Sequence, residues 1–160
     1  METDGAINNE IQLVVFRLGS EEFGVDISQV REIIRVGEIT RIPGSPNFVD
    51  GVINLRGQVT TVVNLRTRLG LEGAEKDANA RIMILEVDKN PFGVIVDSVT
   101  EVKYMSSGEI EHLPEALATT ISSEYIQGVG KLEDRLLILV NLKLIIQDDV
   151  VRMSRGETPA

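Results

Sequence analysis

One stretch of this chain occurs twice. GVINLRGQVTTVVNL, Gly51 to Leu65, aligns without a gap on GVGKLEDRLLILVNL, Gly128 to Leu142. Gly51, Val52, Leu55, Val63, Asn64 and Leu65 meet the same residue type at Gly128, Val129, Leu132, Val140, Asn141 and Leu142. A second match precedes the first, with Phe23-Gly24-Val25, Val30 and Glu32 answering to Phe92-Gly93-Val94, Val99 and Glu101. Phe92 follows Phe23 by 69 positions and Gly128 follows Gly51 by 77, so the copies differ by a short insertion. Two matches in one order point to a duplicated unit, and chance identity among Val, Leu and Gly is the competing account. On this reading Phe23 and Phe92 occupy equivalent places, as do Leu55 and Leu132.

Each copy of the long stretch is a pair of apolar runs split by a polar turn. Val52 to Leu55 leads into Arg56-Gly57, and Val59 to Val63 follows. Branched β-carbons favour strands, and glycine at 57 permits the positive φ of a tight hairpin. Glu133-Asp134 takes the turn in the second copy. Asn64-Leu65 and Asn141-Leu142 close the runs, and helical text follows both times. The repeated piece is therefore a β-hairpin ending in a short helix.

Along the chain, Met1 to Asn9 and Arg152 to Ala160 are polar tails, expected to be flexible. Ile11 to Leu18 and Glu22 to Ile27 form a hairpin around Gly19-Ser20-Glu21. Ser28 to Val36 fits either a helical face or an extended run. Pro43 to Pro46 is a rigid loop. Arg66 to Leu71 reads as a helical turn, and Glu72 to Asn79 as the seam between copies. Arg81 to Val87 and Phe92 to Asp97 form another hairpin, Ser106 to Ser123 is a long polar loop, and Leu142 to Val151 a helix with Asn141 as N-cap. Two lobes follow, about 11–71 and about 80–142, within one domain over 10–150 with the 142–151 helix packing back. Closing each small sheet on itself would bury one face and remove exposed edges.

Composition narrows the function. The formal net charge of −9, the 4% aromatic content and the lack of tryptophan argue against nucleic acid. Between Arg31 and Arg68, however, six arginines face only Glu32, Glu38 and Asp50, which suggests steering toward an acidic partner. The alternative is a solvated surface with scattered arginines. There is no cysteine, no bilayer-length apolar run and no signal-peptide pattern, so a soluble cytoplasmic protein without membrane insertion is expected.

Nothing in the chain carries a reaction. His112, the only histidine, lies among Glu109, Glu111 and Glu115, where a solvated loop is the plainer reading than a metal site. Gly128-Val129-Gly130-Lys131 lacks phosphate-loop spacing. Asp26 and Asp97 sit at strand ends, where turn roles dominate. No catalytic set, cofactor or metal is expected.

Three ordered blocks carry a family resemblance: EEFGVDISQVREI, GVINLRGQVTTVVNLRTRLG and SSEYIQGVGKLEDRLLILVNL. Together they resemble the CheW family over about Glu10 to Gln147, with Asn64 where many relatives carry Asp. The resemblance implies a mainly β fold of two small SH3-like five-stranded β-barrels packed together, with short helices and a C-terminal helix. It implies a non-catalytic adapter that couples chemoreceptors to the histidine kinase CheA, recruited from the cytoplasm to membrane-associated receptor arrays. The partners would be the CheA regulatory domain, which shares the double-barrel fold, and the receptor's cytoplasmic tip. Arg56 matches the Arg of the family's NLRG motif, which is tied to that coupling. Its rival role is an idle turn arginine. Val30, Glu32, Gly51 and Val52 are the other interface candidates, against ordinary core for the valines and a backbone role for Gly51. A small β-barrel binding single-stranded nucleic acid or another ligand is the alternative function.

Overall fold

The structure, a computed structural model, describes residues 10–71, 77–112 and 125–154. Strands β1 (Glu10–Leu18) and β2 (Glu21–Asp26) form a hairpin, and a 3-10 turn, Ile27–Gln29, leads into β3 (Glu32–Arg35). Strands β4 (Val49–Leu55) and β5 (Gln58–Asn64) are the repeated hairpin, followed by α1 (Leu65–Arg68). The second copy supplies β6 (Arg81–Val87), β7 (Asn90–Val96), β8 (Ser98–Ser106), β9 (Ile110–Glu111), β10 (Ile126–Lys131), β11 (Leu136–Val140) and α2 (Leu142–Ser154). Ser28 to Val36 thus resolves into a turn and a short strand. The Ser106 to Ser123 loop opens with a capped 3-10 turn and β9, the capping box being Ser106 and Glu109. Residues 113–123 of that loop lie outside the described residues, as do 1–9, 72–76 and 155–160 of the expected tails and seam. Helix α2 continues three residues beyond the expected end at 151. No described helix is long and apolar enough to cross a membrane.

The duplication is legible in the strand register. Phe16 pairs with Phe23 in β1–β2 and Leu85 with Phe92 in β6–β7. Val15 pairs with Glu101, and Ile84 with Glu32. Residues matched by the repeat therefore occupy matched ladder positions.

The sheets do not divide the chain into lobes 11–71 and 80–142. One has the order β8-β1-β2-β11-β10-β9 and the other β3-β6-β7-β5-β4. Each copy donates its first hairpin to the sheet of the other. The exchange rests on two parallel pairings, Phe23↔Ile138 in one sheet and Phe92↔Thr61 in the other. Consecutive strands usually neighbour one another, which is why a seam in the sequence suggested contiguous lobes.

Both sheets must curl. A flat six-stranded sheet is about 24 Å wide, yet its end strands β8 and β9 are joined by Ser107–Glu109, a span of at most about 11 Å. In the other sheet the chain leaves edge strand β3 at Arg35 and by Thr40 is paired with Val52 of the opposite edge. Counting β9 as the continuation of β8, each sheet is a five-stranded barrel.

Burial follows from this. Val14, Phe16, Phe23, Met83, Leu85, Val94, Val63 and Val140 lie in one cluster with Ile145 and Ile146 of α2, between the barrels. Leu13, Val15, Met105, Leu137 and Leu139 fill one barrel, and Ile53, Val62, Ile82, Ile84 and Ile95 the other. Strands β1 and β6 are thus covered on both faces, as their uninterrupted apolar runs require. Phe23 and Phe92 are equivalent in register but not in burial, since Phe23 is enclosed and Phe92 half-buried. Phe23→Ala should lower unfolding free energy by about 3–5 kcal/mol, and Phe92→Ala by clearly less, in urea titrations of the two variants. Equal losses would show that burial does not set the cost.

Candidate functional site

The β4–β5 hairpin closes on two residues, with Leu55 paired to Gln58 across Arg56-Gly57. Both turn residues have positive φ, 51° at Arg56 and 87° at Gly57, which matches the twist of the flanking strands. The Gly57 amide donates to Asn54 Oδ1 at 2.7 Å, holding the turn. Arg56 is thereby presented at the hairpin tip with its side chain 67% exposed.

Its guanidinium forks onto Glu32 of β3, with Nη1 donating to Oε1 at 3.2 Å and Nη2 to Oε2. Two of the sequence candidates are therefore in contact. The pair ties edge strand β3 to the hairpin of the opposite edge, across the closure of the barrel. The Arg56 guanidinium, hydrogen-bonded to it, holds the Glu32 carboxyl below its ordinary value of 4.5; partial desolvation opposes this, and Arg31 adds to it. Arg56 is raised in turn by the same contact.

The second barrel repeats this closure with different parts. Glu101, the counterpart of Glu32, accepts from Arg135 Nη2 at 2.6 Å. Arg135 also contacts Glu22 at 2.7 Å and Asp134 at 3.4 Å. The glutamate keeps its place in the repeat, whereas the arginine moves from one side of the hairpin turn to the other. The matched glutamates were visible in the sequence, and their arginine partners were not, since Arg56 aligns with Glu133.

Gly51 and Val52 sit where the closing segment crosses β4. Val52 exchanges both backbone hydrogen bonds with Thr40, each 2.9 Å. Gly51 is buried with φ of 145°, and a β-carbon there would run into the Thr40 carbonyl. Gly128 repeats the situation, its missing β-carbon falling 2.7 Å from the Glu111 carbonyl. Both glycines follow register shifts in their strands. The backbone role weighed for Gly51 is what the geometry shows. Val52 lines an open groove of ≈ 570 Å³ with Ile34, Glu38, Thr40, Asn54 and Val59, so the Arg56 hairpin forms part of its wall. Val30 lies apart from this groove, half-buried against the core between the barrels.

The basic first half is largely neutralised within the chain. Arg31 pairs with Glu86, Arg56 with Glu32, Arg66 with Asp97 and Arg68 with Asp149. Arg35 and Arg41 remain exposed. Asp97 joins the Gly19 amide to Arg66, and Asp26 caps the 3-10 turn, both turn roles as expected. Glu111 pairs with Lys131, and no metal-binding cluster occurs among the described residues. Glu115 lies outside them.

Apolar side chains are exposed at matched places on the two barrels: Val59 and Leu136 beside the hairpin turns, Ile33 and Val102 on β3 and β8. Sequence reading missed them because alternation marks which face a residue takes, not whether another strand covers that face.

Comparison with known proteins follows the same lines. A family model described as CheW-like domain matches residues 12–150. Chemotaxis protein CheW of Klebsiella aerogenes is 35% identical over 138 residues, covering 86% of this chain and 82% of that protein. Its namesake in Treponema pallidum is 34% identical over 142 residues, with 86% and 83% covered. Among solved structures, scaffolding protein TtCheW from Thermoanaerobacter tengcongensis superposes with a TM-score of 0.78 at 34% identity, covering 91% of this chain and 93% of that one.

A folded-state carboxyl value below the unfolded one stabilises above the ordinary carboxylate range and loses that effect as pH falls through the lowered value. Glu32 should therefore titrate below 4.5 by carbonyl-detected NMR and shift upward in Arg56→Gln. An unchanged Glu32 titration in that variant would mean that the contact is not made in solution.

Proposed function

The chain belongs to the CheW-like domain family, and on that footing we propose that it joins chemoreceptors to the histidine kinase CheA. It is a chemotaxis adapter of the scaffolding kind. Likeness along nearly its full length, at matching coverage of the relatives, carries this reading. The work of such a protein is binding, and its chemistry lies in the surfaces it offers. We infer a location on the cytoplasmic side, at receptor arrays.

Arg56, Glu32, Gly51, Val52 and Val30 are proposed as the receptor and kinase interface, with unequal parts. Arg56 stays mostly exposed while engaged with Glu32, so its remaining donors can meet a partner's carboxylate or carbonyl. Val52 and Val59 offer apolar contact in the adjoining groove. Gly51 acts through the backbone it permits, and Val30 through the packing between barrels. The kinase's regulatory domain is proposed to meet the exposed apolar positions near the hairpin turns, Val59 and Leu136.

Adding the protein to receptor and kinase should raise kinase autophosphorylation, and an unchanged rate would remove the adapter reading. Arg56→Glu should weaken binding to at least one partner by about tenfold or more. Because Arg56 also closes the barrel, the informative comparison is the charge swap Arg56→Glu with Glu32→Arg. An interface arginine predicts that the swap restores the thermal midpoint and leaves binding weak. Recovery of binding by the swap would reduce Arg56 to its partnership with Glu32.

A further inference from the structure

Among the contacts that join the barrels, a buried one has no counterpart in the duplication. Arg68 ends α1, which follows β5 of one sheet, and Asp149 lies in α2, which follows β11 of the other. Arg68 Nε donates to both Asp149 carboxylate oxygens at 2.9 Å. Nη2 donates to the Tyr125 hydroxyl at 3.3 Å, and that hydroxyl donates to Asp148 at 2.9 Å. The two side chains are only 9% and 2% exposed. Burial works against the charge on Arg68, and Asp149 and Tyr125 together more than offset it.

The guanidinium lies 5.7 Å from the Phe48 ring centre and 5.5 Å from that of Tyr125. Phe48 and Tyr125 are counterparts in the repeat, separated by the same 77 positions as the two hairpins. Their carbonyls take matched hydrogen bonds, from Asn64 at 2.7 Å and from Asn141 at 2.8 Å. Arg68 thus lies against two equivalent rings, one from each copy. Its own counterpart is Ile145, fully enclosed in the core between the barrels. One copy places a charge at this position, and the other a hydrocarbon.

We propose that the Arg68–Asp149 pair, packed against Phe48 and Tyr125, is a positioning device that sets the angle between the two barrels. The apolar contact around it is non-directional and tolerates small rotations. A buried guanidinium tied to both Asp149 and the Tyr125 hydroxyl does not, because its hydrogen bonds leave a planar group in fixed directions. Buried pairs are also poor sources of stability, since apolar residues of similar volume often replace them without loss. Orientation is the contribution that hydrocarbon cannot copy. An adapter that meets two partners at once needs its faces held at a fixed angle, but the geometry stands or falls independently of that role.

The chain has no cysteine, so spin labels can be placed at will. Val59→Cys and Leu136→Cys are exposed, lie on different sheets and occupy matched positions in the repeat. Pulsed electron resonance on the doubly labelled protein should give a narrow distance distribution. In the same background Arg68→Met with Asp149→Leu should keep the thermal midpoint within about 4 °C and broaden the distribution. Arg68→Lys, which keeps the charge and loses the planar guanidinium that reaches both Asp149 and Tyr125, should broaden it less. A distribution as narrow as the parent's in the folded apolar variant overturns the proposal, whatever its midpoint. Should that variant not fold, Arg68→Lys decides by the same criterion.

Discussion

The architecture depends on two short parallel ladders, Phe23-Gly24 against Ile138-Leu139 and Phe92-Gly93 against Thr61-Val62. Each joins a hairpin from one copy to a hairpin from the other. Without them β1 and β2 would have no sheet beyond β8, and the β4–β5 hairpin would be isolated, a form that is marginal in water. The first copy therefore cannot complete a barrel before the second has been supplied, and the converse also holds. Closing such long loops costs entropy that only the finished core offsets. Two barrels built this way form one cooperative unit although each has its own interior cluster.

Much of this was legible because local chemistry coincided with the final contacts. The Arg56-Gly57 turn, the β1–β2 and β6–β7 hairpins and the Asn141 cap are decided within a few residues, and Asn64 repeats that cap at α1. Asn64 and Asn141 each accept from a backbone amide three residues on, at 3.2 and 3.0 Å. The exchange was hidden because nothing near residues 72–79 records which copy a hairpin will join. Strand β8 escaped notice for a related reason. Its alternation is inverted, with Val102 and Tyr104 exposed and Glu101 and Lys103 half-buried, so the pattern does not mark a core-facing side.

The candidate site divides along the same line. Gly57 and the turn could be read locally, and Glu32 could be singled out because it recurs as Glu101. That Arg56 reaches Glu32 depends on barrel closure, which brings opposite edges together and has no signature in spacing. Arg68 and Asp149 lie 81 positions apart and fall outside the residues matched by the repeat. Their pairing emerges only once α1 and α2 have docked on the common core.

The departures from symmetry are as informative as the symmetry. Where the copies agree, at Gly51 and Gly128 or at Phe23 and Phe92, the residue meets a demand of the barrel itself: a crossing too close for a β-carbon, or a ladder position where the two copies join within one sheet. Where they differ, the fold leaves a choice. Glu133 stands opposite Arg56 in the alignment, Ile145 opposite Arg68, and Leu136 opposite Val59. Each barrel can then satisfy the same closure while offering a different charge at its hairpin tip. A chain of two identical barrels would present the same face twice and could not tell one partner from another. The interiors also differ, Ile53 standing opposite Gly130 and buried Thr60 opposite buried Leu137, but it is the substitutions at the turns and at the axis between barrels that separate the two faces.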